Sequence, residues 1–166
     1  MSPATDPAEF GKVQASWSGP RNTGAMTDTT SRPAPPPQVW PTLRARNARE
    51  LIRFLVDVVG FEDTVVYGDA DTVEHAQLSW PLGGGVMLGS VREADSDDRW
   101  PLKPGSFGAY VVTDDPDGLF ARVKAGGAEI TDELEDKDYG SRDFAILDPE
   151  GNRWSFGTYR GEPRRS

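Results

Sequence analysis

No cysteine occurs anywhere in the 166 residues, which rules out disulfide staples, thiolate metal centres and cysteine nucleophiles and fits a reducing cytosol. Histidine is almost as scarce. His75 is the sole imidazole, too little for a multi-histidine metal site and without a supporting motif for a Ser-His-acid triad. No apolar run approaches the roughly 18 residues of a membrane span, and no basic segment followed by an apolar one marks a secretory leader. Positive charge is in deficit as well. Eighteen Lys and Arg stand against 27 Asp and Glu, a net charge of -9, and such a surface repels phosphate backbones. Nucleic acid is thereby set aside as a partner, whereas a cationic small molecule is favoured. What remains, with 36% hydrophobic residues, suffices for one globular domain with a real core.

The chain repeats itself. VWPTLRARNARELIRFLVDVVG (39–60) and FGAYVVTDDPDGLFARVKAGGA (107–128) match at an offset of 68 positions, which pairs Asn47 with Asp115, Leu43 with Val111, Leu51 with Leu119 and Leu55 with Val123. PLGGGVMLGS (81–90) matches DPEGNRWSFG (148–157) at an offset of 67. Each copy reads as an extended apolar run, a helix-capping Asx, an amphipathic helix and a terminating glycine, and repeats of this kind dictate architecture.

The repeat divides the chain. Residues 1–38, rich in Pro, Ser, Thr and Gly, show neither periodicity and read as a disordered tail, with a folded lid or partner segment as the alternative kept open by Phe10 and Trp17. A single domain follows over 39–160, made of module one (39–91), an acidic linker (92–106) and module two (107–160), with 161–166 frayed. In module one a strand (39–46) leads to a helix capped by Asn47 and Glu50, with Leu51, Phe54, Leu55 and Val58 in one apolar stripe and Gly60 at its end. Strands are expected near 61–67, 72–80 and 85–91. In module two a strand (107–113), a helix capped by Asp115 with Pro116 at its first position, and strands near 128–134, 141–147 and 152–159 repeat the order. Each module is therefore β-α-β-β-β, an α+β fold.

The order and spacing of RNARELIRFLVDVVGFE (46–62), AYVVTDDPDGLFARVKAGGAEI (109–130) and YGSRDFAILDPEGNRWSFGTY (139–159) resemble the vicinal-oxygen-chelate superfamily. That superfamily holds glyoxalase I, extradiol dioxygenases, fosfomycin-resistance and bleomycin-resistance proteins. The resemblance implies two modules curled into an incomplete barrel around a cleft, and a homodimer in which modules pair between chains. It also implies a divalent metal held by ligands on the first and last strands of each module. At the matching positions this chain carries Trp40, Leu88, Gly108 and Ser155. None is a good donor, so the expectation is no metal and no cofactor.

His75 lies in Glu-His-Ala-Gln-Leu (74–78) on a strand, sharing a face with Gln77 and Ser79. It reads either as an ordinary polar residue of a sheet or as a ligand-contacting group with Gln77. Alternation in the last strand sends Arg153 and Ser155 to the cleft and Trp154 and Phe156 to the core. Trp40 and Tyr110 are expected to line the cleft, where an indole stacks on flat or cationic ligands, and Gly108 leaves room opposite. Gly83-Gly84-Gly85 lacks a following helix and reads as a turn, and the acidic runs 93–98 and 133–138 read as solvated loops. The expected ligand-binding set is Trp40, His75, Gln77, Leu88, Gly108, Tyr110, Arg153 and Ser155, with no catalytic residue. The resemblance to the bleomycin-resistance branch implies a cytoplasmic, homodimeric, metal-free protein that sequesters a small molecule, cationic or aromatic, such as an antibiotic. A glyoxalase-like lyase or isomerase, and an accessory domain that binds a metabolite, are the alternatives.

Overall fold

The computed structural model describes residues 39–92 and 102–163. The expected tail (1–38), the acidic run 93–98, Trp100 and residues 164–166 lie outside the described residues.

Strand β1 (Thr42–Ala45) leads through Asn47 into helix α1 (Ala48–Arg53), which continues unbroken as a π-wound segment (Phe54–Val59). The Asn47 side chain accepts the Glu50 amide at 3.2 Å and donates to the Glu50 carboxylate at 2.7 Å. The return arm of a capping box is absent. The Asn47 amide instead donates to Glu150 at 2.6 Å, and Arg46 donates to the same carboxylate at 3.1 Å. A turn of module two thus closes the helix start of module one. The π winding widens the turn, seen in the i→i+5 bond from the Gly60 amide to the Leu55 carbonyl at 2.9 Å. It also moves the buried stripe: Leu51, Leu55 and Val59 are fully enclosed, while Phe54 and Val58 are only half-buried.

Strands β2 (Glu62–Gly68), β3 (Val73–Ser79) and β4 (Gly85–Ser90) complete a sheet in the order β1-β4-β3-β2. Its counterpart is built from β5 (Gly108–Val112), helix α2 (Pro116–Ala125), β6 (Glu129–Asp136), β7 (Arg142–Leu147) and β8 (Arg153–Gly157), in the order β5-β8-β7-β6. In each sheet the first and last strands of the module pair parallel and the other pairs are antiparallel. The architecture is the expected α+β pair of β-α-β-β-β modules, two open four-stranded mixed sheets.

One offset, 68, relates β1, β3 and β4 to β5, β7 and β8. Leu43 opposite Leu88 recurs as Val111 opposite Phe156, and Ala76 opposite Leu88 recurs as Phe144 opposite Phe156. The offset of 67 read for the last strands is therefore corrected by one residue: Ser155 corresponds to Met87, and Leu88 to Phe156. A one-residue slip in a strand exchanges its faces.

The helix-covered faces of both sheets merge into one core that includes Leu43, Leu78, Leu88, Phe144, Trp154 and Phe156. At the seam between modules Phe61 meets Trp80 at 5.0 Å and Trp154 at 5.5 Å between ring centroids, and Trp80 meets Phe156 at 6.3 Å. The Trp80 indole N–H donates to the Val112 carbonyl on the free edge of β5 at 2.7 Å. The opposite face of each sheet carries mostly half-buried and exposed side chains, with Asp143 and Ala145 the buried exceptions on the second.

Candidate functional site

On the open face of the first sheet, a cavity of about 260 Å³ is lined by Thr42, Arg44, Glu74, His75, Met87 and Gly89. Strand alternation puts these groups together: Thr42 lies opposite Met87, Arg44 opposite Gly89, and Gln77 opposite Met87. Gly89 has a steric purpose here. A Cβ at that position would stand 2.7 Å from Arg44 Nη1, so the absent side chain lets the guanidinium lie against the sheet. Nη1 donates to the Ser90 carbonyl at 3.4 Å, while the buried Nε has no hydrogen-bond partner. His75 stacks on Tyr67 with ring centroids 6.3 Å apart.

The second open face has a different chemistry. A cavity of about 310 Å³ is lined by Tyr110, Tyr139, Asp143, Ala145, Arg153 and Ser155, with Asp132 and Lys137 at its rim. At its base the Asp143 carboxylate, only 6% exposed, accepts hydroxyl hydrogens from Tyr110 at 3.2 Å, from Tyr139 at 2.5 Å and from Ser141. The Tyr159 amide donates to the Tyr110 oxygen at 3.1 Å and to the Ser141 oxygen at 3.0 Å. Gly157 again makes room, since a Cβ there would strike both Asp143 and the Tyr110 hydroxyl. The hydrogen bond to Asp143, with desolvation second, pushes the Tyr139 phenol up to about 12. A hydrogen bond to Glu135 raises the Lys137 ammonium above its ordinary value. Arg153 is held by Asp132 and by Thr131 at 3.3 Å.

A third cavity, of about 360 Å³, lies at the seam and is lined by Phe61, Trp80, Leu82, Ala109, Trp154 and Arg160 among others. Tyr110 borders both this cavity and the one on the second face.

The turn that feeds β8 into place is the sequence's Asp-Pro-Glu-Gly-Asn. Asp148, 5% exposed, accepts the amides of Glu150 and Asn152, the Asn152 side chain and the Trp154 indole, all at 2.9 Å. The Asn152 side-chain oxygen Oδ1 in turn accepts the Phe107 amide at 3.1 Å, which ties β5 to the same turn. This buried network sets which residues of β8 face outward.

The residues expected from sequence fall into three groups. Gly108, Tyr110, Arg153 and Ser155 come together on the second open face, with Gly108 opposite Arg153 and Tyr110 opposite Ser155. His75 and Gln77 share the first open face, and the Trp40 ring packs at its end against Gly85. Leu88 borders the first-face cavity but is only 3% exposed and packs in the core, and Met87 holds the open-face position. Trp40, Met87, Gly108 and Ser155 therefore stand where the resemblance puts metal ligands. An indole, a thioether, a methylene and one hydroxyl do not fit a divalent ion. No group of three His, Asp or Glu among the described residues is placed to hold one.

Arg44, Met87, Tyr139, Ser141 and Asp143 were missed by sequence reasoning. Two signals would have found two of them. Alternation from Trp40 leads through Thr42 to Arg44, and the repeat offset applied to His75 lands on Asp143.

A model of the Glyoxalase/Bleomycin resistance protein/Dioxygenase superfamily matches residues 38–156. Among solved structures, TioX from Micromonospora sp. ML1 is 28% identical with a TM-score of 0.59, covering 70% of this chain and 94% of its own. TnmS3, an antibiotic binding protein from Streptomyces sp. CB03234, is 22% identical with a TM-score of 0.55 over 70% of this chain and 90% of its own. A glyoxalase/bleomycin resistance protein from the same Streptomyces strain is 22% identical with a TM-score of 0.54, over 70% and 96%. No curated protein matches the chain.

Proposed function

The chain belongs to the Glyoxalase/Bleomycin resistance protein/Dioxygenase superfamily, and from that premise we propose that it is a metal-independent binding protein that sequesters a small aromatic molecule. The observation that carries this reading is the sorting of aromatic side chains. Trp154, Phe144 and Phe156 fill the core, whereas all four tyrosines, Tyr67, Tyr110, Tyr139 and Tyr159, are 39–59% exposed. Tyr110 and Tyr139 line the second open face's cavity, and Tyr67 stacks on the His75 that lines the first. Tyrosine offers flat apolar area and a polar tip at small entropic cost, the composition of a binding surface. The likeness to an antibiotic binding protein supports an antibiotic as ligand.

The working unit is a homodimer. Each open face ends in a cavity of its own and is uncovered within one protomer, so a second protomer laying its first sheet over the second sheet of its partner closes both. No helix among the described residues is long and apolar enough to cross a membrane, and the protein acts in the cytosol.

Chemistry by His75 is the competing reading, since His75 and Glu74 line one cavity and an imidazole beside a carboxylate is a workable acid-base pair. A thermal-shift screen of flat polycyclic antibiotics and cationic glycopeptides supplies the test, because a ligand at 100 times its Kd stabilises by about 2.7 kcal/mol. A hit recovered chemically unchanged after prolonged incubation is the expected result. Conversion that His75→Ala abolishes would replace binding with catalysis.

A further inference from the structure

We propose that the first open face is an oxyanion subsite in which Arg44 takes the carboxylate of an aromatic acid. The inference deepens the binding reading above and rests on it. Three observations converge on Arg44. Its Nε is buried without a hydrogen-bond partner, an arrangement that costs free energy unless something accepts from it. No carboxylate among the described residues lies within 4.0 Å of its guanidinium, whereas Arg46, Arg142, Arg153 and Arg160 are paired with Glu150, Asp117, Asp132 and Asp114; Arg49 and Arg122 also lack a carboxylate but donate to backbone carbonyls away from any of the cavities described. And the guanidinium is positioned before any ligand arrives, lying against Gly89 with one arm on the Ser90 carbonyl.

The surroundings define the remainder of the ligand. Met87 gives a soft apolar floor that adapts to a ring, and the stacked Tyr67–His75 pair stands beside it. A cavity of about 260 Å³ admits an arene with one substituent and excludes a whole macrocycle. Glu74, exposed in the bulge where Tyr67 pairs with His75 and Gly68 with Val73, sits at the rim and repels a second negative charge. The class is therefore a monoanionic planar carboxylate, which a guanidinium fork engages through two parallel hydrogen bonds. Val112 stands at the equivalent position of the second sheet, 68 residues on, so the subsite belongs to the first face alone. Its charge preference is opposite to what the acidic composition suggests.

Three probes that differ only at the polar group test this by isothermal titration of the full chain: 2-naphthoate, 2-naphthamide and 2-naphthylmethylammonium. Wild-type protein is expected to bind 2-naphthoate at least tenfold more tightly than the amide, and the ammonium more weakly still. Arg44→Gln removes that preference and leaves the amide's affinity unchanged; Arg44→Lys keeps the charge, loses the fork and falls between. Should Arg44→Gln fail to fold, the lysine variant and the wild-type ranking still decide. Equal binding of acid and amide, or preference for the ammonium, overturns the oxyanion subsite and leaves the binding reading standing. Absence of binding by all three at millimolar concentration also overturns the subsite, while the binding reading stands or falls on the thermal-shift screen.

Discussion

The two open faces are copies in register and opposites in chemistry. Where the first sheet carries His75, the second carries Asp143; where the first has Met87, the second has Ser155; and Arg44 gives way to Val112. The glycine that makes room is retained in both, Gly89 under a guanidinium and Gly157 beside a carboxylate and a phenol. The helix-covered faces stay apolar instead, Leu43 with Leu88 becoming Val111 with Phe156. A duplicated scaffold has thus held constant what packs and let diverge what faces outward. Function is grafted on a fold in the same way, through sites.

The largest expected effect contrasts the two turns that lead into the final strands. Asp148 holds four donors inside the protein, while the equivalent turn of the first module exposes Leu82. Asp148→Ala strands those donors and is expected to lower stability by about 3 kcal/mol or more, read by urea denaturation. Leu82→Ala should stay within about 0.5 kcal/mol. Equal losses would erase the distinction between a networked turn and a free one.

A smaller effect separates His75 from Asp143 directly. Asp143→Asn weakens an acceptor that serves three hydroxyls and is expected to cost about 1–2 kcal/mol. His75→Asn, at the matching position with one stacking neighbour, should cost about 0.5 kcal/mol or less. Thermal unfolding of the two variants side by side checks the ranking, and the reverse order would mean the first face is the more tightly organised.

The smallest effect is a titration. Tyr139 is raised from 10.0 to about 12, first by its hydrogen bond to Asp143. Its folded value lies above its unfolded one, so the bond's contribution is whole below pH 10 and disappears as the pH climbs through about 12. Phenolate absorbance should show one tyrosine ionising near pH 12, and Asp143→Asn should bring it back toward 10.0. Tyr159, raised first by burial and then by Glu162, should not move with it.

Most of the fold was legible because it is written in period and punctuation. Asn47 and Asp115 are helix caps by chemistry, and the glycines after the helices are stops; both act locally, and both hold in the structure. The last strand of module one was less legible. In GVMLGS the core face (Val86, Leu88) and the open face (Met87) are all apolar, so alternation has no polar member to mark the outside, and the register was read one residue out. The second face was legible in part, since Arg153 and Ser155 alternate with Trp154 and Phe156. Asp143 was hidden for another reason: its burial depends on hydroxyls from Tyr110, Tyr139 and Ser141, contacts that no local pattern announces. The reach of Glu150 to the Asn47 amide, 103 residues away in sequence, was invisible on the same grounds.

The most direct measurement of whether the two outward faces are the binding surface is an amide NMR titration of the full chain with the strongest hit of the thermal-shift screen. Shift changes are predicted at Arg44, His75 and Met87 on one sheet and at Tyr110, Asp143 and Ser155 on the other, saturating together. Changes confined to Trp80, Leu82 and Ala109 at the seam, with both faces silent, would contradict it.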